Sequence, residues 1–133
     1  MSNGSESIEQ PNHRPVLVVD DDADVRQVVR WALEDAGFDV LTAADGPTAF
    51  SQAEQRRPGV VVLDHGLPST DGTHVAAGLR RICGEHIPIL IVTADGRAAE
   101  KARRAGAYAF IHKPFDDAVL VAAVRRGFAT GHP

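Results

Sequence analysis

The chain is poor in cysteine. Cys83 stands alone among 133 residues, which excludes an internal disulfide and a thiolate metal cluster; the residue reads as a small, partly buried helix position. There is no excess of positive charge either. Fourteen Lys and Arg face eighteen Asp and Glu, a net charge of −4, so no global basic footprint points to nucleic acid or an anionic membrane. No apolar run approaches the roughly 18 residues of a membrane-spanning helix. The polar opening "MSNGSESIEQPNH" also lacks the apolar centre of a secretory signal. A soluble, cytoplasmic protein is the expectation. Repeats and low-complexity tracts are absent, and lysine is scarce: Lys101 and Lys113 are the only two, beside twelve arginines.

What is present is ordinary globular composition, 44% hydrophobic and 24% charged, in a length that suits one domain with a real core. Residues 1–14 read as a disordered polar tail and 15–130 as the folded domain, with no output domain expected after it. From Val16 onward, short apolar runs alternate with helical periodicity. "VLVV" (16–19) is a β-branched run of the kind found in strands covered on both faces. Val25, Val28, Val29, Ala32, Leu33 and Ala36 then recur at helix spacing until Gly37 closes the helix. "FDVLTA" (38–43) reads as a second strand, nearer an edge. Asp45 caps a helix with Pro47 in its first turn and Ala49, Phe50 and Ala53 on its apolar face.

"VVVLD" (60–64) is the third strand, and Val75, Leu79 and Ile82 mark the third helix after the loop "HGLPSTDG". "IPILIVTA" (87–94) is the fourth strand, with Pro88 near its start, where a missing N–H is tolerated. "AAEKARRAGA" gives a short, weakly amphipathic fourth helix, and Tyr108–His112 gives the fifth strand, stopped by "KPF". Asp116 caps a last helix with Arg125 and Arg126 in its final turn, where they suit the macrodipole. Five β/α units in strict alternation imply a doubly wound (βα)5 α/β fold, a five-stranded parallel sheet with helices on both faces.

In such sheets a site forms beyond the carboxyl ends of the strands. Those ends carry Asp20 and Asp21, Asp64, Thr93 and Lys113. Two unit charges ~4 Å apart repel by about 4 kcal/mol at an effective dielectric near 20, so three carboxylates relieved by one lysine call for a divalent cation. Oxygen-only ligands in a small, hydrated site favour Mg2+ over zinc. A carboxylate beside a metal and a lysine can act as nucleophile toward a phosphoryl group, giving an acyl phosphate. Mg2+ and Lys113 would offset charge on the phosphoryl oxygens, and the Thr93 hydroxyl could donate to one of them.

"VVDDD", "VVLDHGLPSTDG", "IVTA" and "FIHKPF", in this order, resemble the receiver domain of bacterial two-component response regulators, over roughly Arg14 to Thr130. The resemblance implies a flavodoxin-like (CheY-like) sheet with strand order 2-1-3-4-5. It implies Asp64 as the residue phosphorylated by a sensor histidine kinase or histidine phosphotransfer protein. Asp21 matches the direct Mg2+ ligand and Asp20 a ligand acting largely through water; Asp64 and the backbone carbonyl of Gly66 complete the protein ligands, and Mn2+ is an acceptable substitute. Thr93 and Phe110 match a switch pair, in which the hydroxyl turns toward the phosphoryl group and the ring moves inward. Lys113 matches the phosphoryl-binding lysine, and the bond to Pro114 is typically cis. Output through the face of helix 4, strand 5 and helix 5 is implied, from a monomer or a phosphorylation-linked dimer without direct nucleic-acid contact. Gly66 and Asp95 occupy positions that modulate phosphate lifetime, and the segment between Thr93 and "AGA" is about two residues shorter than usual. The acidic pair that often precedes the switch aromatic in winged-helix regulators is replaced by Tyr108 and Ala109.

Plainer readings exist for the same residues. On its own "DDD" divides between a helix cap and a metal site; with Asp64 and Lys113 in register, Asp20 and Asp21 go to the metal, while Asp22 and Asp24 go to the cap and first turn. Phe110 alone would be a core residue. His65 and His112 lack metal spacing and read as surface, as do Arg103, Arg104, Arg125 and Arg126. An aspartyl phosphohydrolase would need D-x-D-x-[TV], and both registers fail, with Asp24 or Arg26 in the last place. The expectation is therefore a phosphorylation-dependent switch that is not a turnover enzyme. A receiver belonging to a larger DNA-binding regulator, or one that only binds a partner, are the other readings.

Overall fold

A computed structural model of the protein describes residues 14–64, 72–94 and 97–130. The expected tail before Arg14, together with His65, Gly66 and Asp95, lies outside the described residues. Among the described residues ten elements alternate: β1 (Val16–Val19), α1 (Ala23–Asp35), β2 (Val40–Ala43), α2 (Gly46–Gln55), β3 (Val60–Asp64), α3 (Gly72–Cys83), β4 (Ile89–Thr93), α4 (Ala98–Ala105), β5 (Ala109–His112) and α5 (Asp117–Thr130). Every strand pairing is parallel, in the order β2-β1-β3-β4-β5. β1 and β3 are central and buried along their whole length, which is why they read as unbroken apolar runs rather than alternating ones.

The period of two along each strand divides the core. Val16, Val18, Val60, Val62, Leu90, Val92 and Ile111 pack with Val29 and Leu33 of α1 and Leu120, Ala123, Val124 and Phe128 of α5. Leu17, Val19, Val61, Leu63, Ile89 and Ile91 pack with small and aliphatic residues of α2, α3 and α4. The same parity carried one step past the apolar residues sets where the polar strand ends fall.

Several boundaries differ from the sequence reading, each for a local reason. β2 begins at Val40 rather than Phe38, because Phe38 serves the end of α1: its N–H donates to Leu33 O at 3.0 Å, next to Gly37 in the left-handed region at φ 98°. Val28, placed by periodicity on the apolar face of α1, is half exposed; only Val29 and Leu33 of that helix are fully covered. Pro88 precedes β4, its carbonyl accepting from Val61 N. Tyr108 likewise precedes β5. α5 continues to Thr130, so Arg125 and Arg126 are not in its last turn. The Thr130 hydroxyl instead donates to the carbonyls of Arg126 and Gly127, and the Arg125 guanidinium lies 5.5 Å over the Phe38 ring. α4 divides more sharply than its alanine-rich sequence suggests: Ala102 and Ala105 are buried, Arg103 and Arg104 exposed. Cys83 ends α3 half-buried, and burial raises its thiol pKa.

Tyr108 ties the edge of the sheet to α5. Its hydroxyl donates to Ala123 O at 2.7 Å, and burial pushes its pKa up, so it remains a donor at physiological pH. The ring lies against Gly127, where an added Cβ would stand 2.6 Å from the tyrosine oxygen and 3.0 Å from Val60 Cγ2. Overpacking of this kind costs about 1–3 kcal/mol. Gly127→Ala is therefore expected to lower the unfolding free energy read from urea denaturation by that amount, and Tyr108→Phe by about 1 kcal/mol. Unchanged urea midpoints in both variants would show that this contact carries no stability.

Candidate functional site

Asp20, Asp64 and Lys113 share the parity of Val18, Val62 and Ile111; Asp20 and Asp64 follow directly on the covered Val19 and Leu63, and Lys113 follows the exposed strand end His112. Asp20 lies one step past the paired residues Val19 and Leu63, and Asp64 pairs with Val92. The sheet therefore delivers the two aspartates side by side at its carboxyl edge. Both are nearly buried, at 4% and 8% exposure. Lys113 reaches them from the end of β5, with Nζ 3.1 Å from Asp20 Oδ2 and 3.7 Å from Asp64 Oδ2. Its own N–H donates to Thr93 O at 2.9 Å, and the Lys113–Pro114 peptide bond is cis.

The next turn completes the cluster. Asp22 caps α1, its side chain accepting from the amides of Asp24 and Val25, so it serves the helix. Asp21 is exposed, yet one carboxylate oxygen each from Asp20, Asp21 and Asp64 fall within 4.8 Å of one another. These three could hold a metal ion. The donors are all oxygens, which suits a hard divalent cation that keeps several waters. Both oxygens of Asp20 already accept, Oδ1 from Asp22 N at 2.9 Å and Oδ2 from Lys113.

Thr93 ends β4, buried at 3% exposure, with parity opposite to the aspartates. Phe110 stands apart from the cluster. At 47% exposure it is not the core residue that it would be taken for on its own; β5 is an edge strand, and Phe110 lines a surface groove with His112, Phe115 and Val119. His112, Arg103, Arg104, Arg125 and Arg126 are exposed. One contact escaped the sequence reading: Arg26 Nη1 donates to the Asp20 carbonyl at 2.8 Å. Helical side chains lean toward the N-terminus, so an arginine in the first turns after a strand-end aspartate is the signal that could have found it.

Removing Lys113 leaves the carboxylates without their observed ammonium partner. Lys113→Met is expected to lower stability in dilute buffer by about 1–3 kcal/mol, the range for a charged hydrogen bond with its partner left behind. Millimolar divalent cation is expected to shrink the loss. Urea curves with and without the cation check this, and equal losses in both would contradict it.

The family model for the response regulator receiver domain matches residues 16–125. The transcriptional regulatory protein PrrA of Mycobacterium tuberculosis is 38% identical over 112 residues, covering 83% of this chain and 48% of PrrA. The phosphate regulon transcriptional regulatory protein PhoB of Pseudomonas aeruginosa is 36% identical over 115 residues, covering 84% and 50%. The chain thus spans about half the length of these curated relatives. Among solved structures, the Vibrio cholerae chemotaxis protein CheY4 superposes with a TM-score of 0.78 at 32% identity, covering 85% of this chain and 97% of that one. The receiver domain of NtrX from Brucella abortus gives 0.80 at 32% identity, covering 86% and 98%. With its sheet order and strand-end aspartates in place, the chain belongs to the response regulator receiver family of two-component systems.

Proposed function

We propose that the protein is a phosphorylation switch in which Asp64 accepts a phosphoryl group from a phosphohistidine of a sensor kinase or phosphotransfer protein. The observation that carries this reading is the placement of the nearly buried Asp64 between a lysine 3.7 Å away and two further carboxylates. An Asp64 oxygen attacks phosphorus, the P–N bond breaks, and the imidazole leaves, giving an aspartyl phosphate. Lys113 offsets charge on the transferred group, and the Thr93 hydroxyl turns to donate to one of its oxygens.

Mg2+, or Mn2+ in its place, would be held by Asp20, Asp21, Asp64 and the Gly66 carbonyl, and would supply electrostatic stabilisation of the phosphoryl oxygens. Asp21, exposed, suits direct ligation, while Asp20, engaged at both oxygens, suits ligation through water. The chemistry is confined to its own phosphorylation and dephosphorylation, so the protein is a switch rather than a turnover enzyme, and it acts in the cytoplasm.

A groove of about 430 Å3 between α1 and the start of α5, lined by Val25, Val28, Pro114 and Phe115, opens beside Lys113. It gives the phosphodonor an apolar surface adjoining the acceptor. Output passes to a protein target through the face of α4, β5 and α5, where Phe110 and Val119 are exposed and the Phe110 ring moves inward on phosphorylation. The active form is a monomer or a phosphorylation-linked dimer, without direct nucleic-acid contact.

Acetyl phosphate with Mg2+ is expected to give a base-labile phosphoprotein, lost in Asp64→Asn and on chelation of the cation. Intact-mass measurement reads the added phosphoryl group. Labelling that persists in Asp64→Asn without Mg2+ would sink the mechanism.

A further inference from the structure

We propose that Arg26 is a positioning residue for the metal-binding carboxylates, fixing the strand-to-helix joint so that Asp20 and Asp21 face a divalent cation. The inference rests on the functional reading above and adds to it a residue outside the strand ends.

The joint between β1 and α1 is only Asp20, Asp21 and Asp22. The Asp20 carbonyl lies past the paired strand residues and before the cap residue, so among the described residues neither ladder nor helix claims it. Arg26 takes it from above, Nη1 to oxygen at 2.8 Å. The backbone of the same residue holds the other end of the joint, since Arg26 N donates to Asp22 O at 2.9 Å. Asp20 is thereby fixed at four points. Its N–H donates to Ala43 O at 3.0 Å, its Oδ1 accepts from Asp22 N at 2.9 Å and its Oδ2 from Lys113 at 3.1 Å, while Arg26 holds its carbonyl. Rotation of a peptide plane held through its oxygen costs that hydrogen bond, and this plane joins Asp20 to Asp21. The two residues whose carboxylates share the cluster are thus oriented by one guanidinium that is itself half-buried.

Charge and position pull in opposite directions here. A guanidinium near a cation site repels the cation, so a purely electrostatic role predicts tighter metal binding when the charge is removed. A positioning role predicts weaker binding. The sign of the change therefore separates them.

The test is a calorimetric Mg2+ titration of the full chain for wild type, Arg26→Met, which keeps length without donors, and Arg26→Lys, which keeps a charged donor. Arg26→Met is expected to weaken Mg2+ binding about tenfold, the size that outer partners of metal ligands ordinarily carry, with Arg26→Lys losing less. Acetyl phosphate kinetics should show the defect in the Mg2+ concentration for half-maximal rate, with the rate at saturating Mg2+ restored; a merely structural role would lower the urea midpoint and leave Mg2+ affinity alone. Should Arg26→Met fail to fold, Arg26→Gln decides by the same titration. Equal or tighter Mg2+ binding in the neutral variant overturns the inference while the functional reading stands. Absence of Mg2+ binding by the wild type overturns both.

Discussion

Repulsion among carboxylates held at close range is the constraint around which the rest is built. Oxygens of Asp20, Asp21 and Asp64 lie within 4.8 Å of one another, and a single pair near that distance costs about 4 kcal/mol at an effective dielectric near 20. A flexible chain would let such groups drift apart. Here they follow immediately on β1 and within β3, two strands with essentially no exposed residue, so moving either aspartate means disturbing the centre of the sheet. The apolar runs are thus part of the site, because they deny the carboxylates a way to relax.

Two cations then act on this cluster by different routes. Lys113 meets the carboxylates themselves, its ammonium touching Asp20 and standing near Asp64. Arg26 meets the backbone behind them. A lysine is a compact point charge on a flexible stem, whereas a guanidinium is a planar donor fork. The first is suited to a charge whose surroundings change, such as a carboxylate that gains a phosphoryl group under the proposed function. The second is suited to holding one peptide plane still. In a chain with two lysines, their division of labour follows from these shapes.

The fold was largely legible because its strands are covered on both faces and therefore spell themselves out as apolar runs. β1, β3 and the strand-end aspartates needed nothing beyond that pattern and the rule that sites gather at carboxyl ends. Tertiary partners decided what was misread. Phe38 looks like a strand residue until its ring is seen stacked on Phe128, with centroids 5.5 Å apart. Arg125 looks like a helix-end charge until Phe38 claims it. Val28 fits the helical period, yet among the described residues it stays half exposed. Arg26 was passed over for a different reason: its partner is a backbone carbonyl, and carbonyls have no letter in a sequence.

Phe110 and Thr93 show how the buried cluster borders the surface. Thr93 is enclosed on β4, whereas Phe110 stands half exposed on β5, which has only one neighbouring strand. The two strands are registered so that Ile91 pairs with Phe110 and Thr93 with His112, and the Lys113 N–H bonds the Thr93 carbonyl where the strands end. The backbone that carries Lys113 into the cluster is thus continuous with the strand that carries Phe110 outward. An edge strand can adjust without breaking a ladder on its far side. Under the proposed function, that freedom makes β5 the strand through which a phosphorylated Asp64 would be read, while the central strands keep the carboxylates fixed.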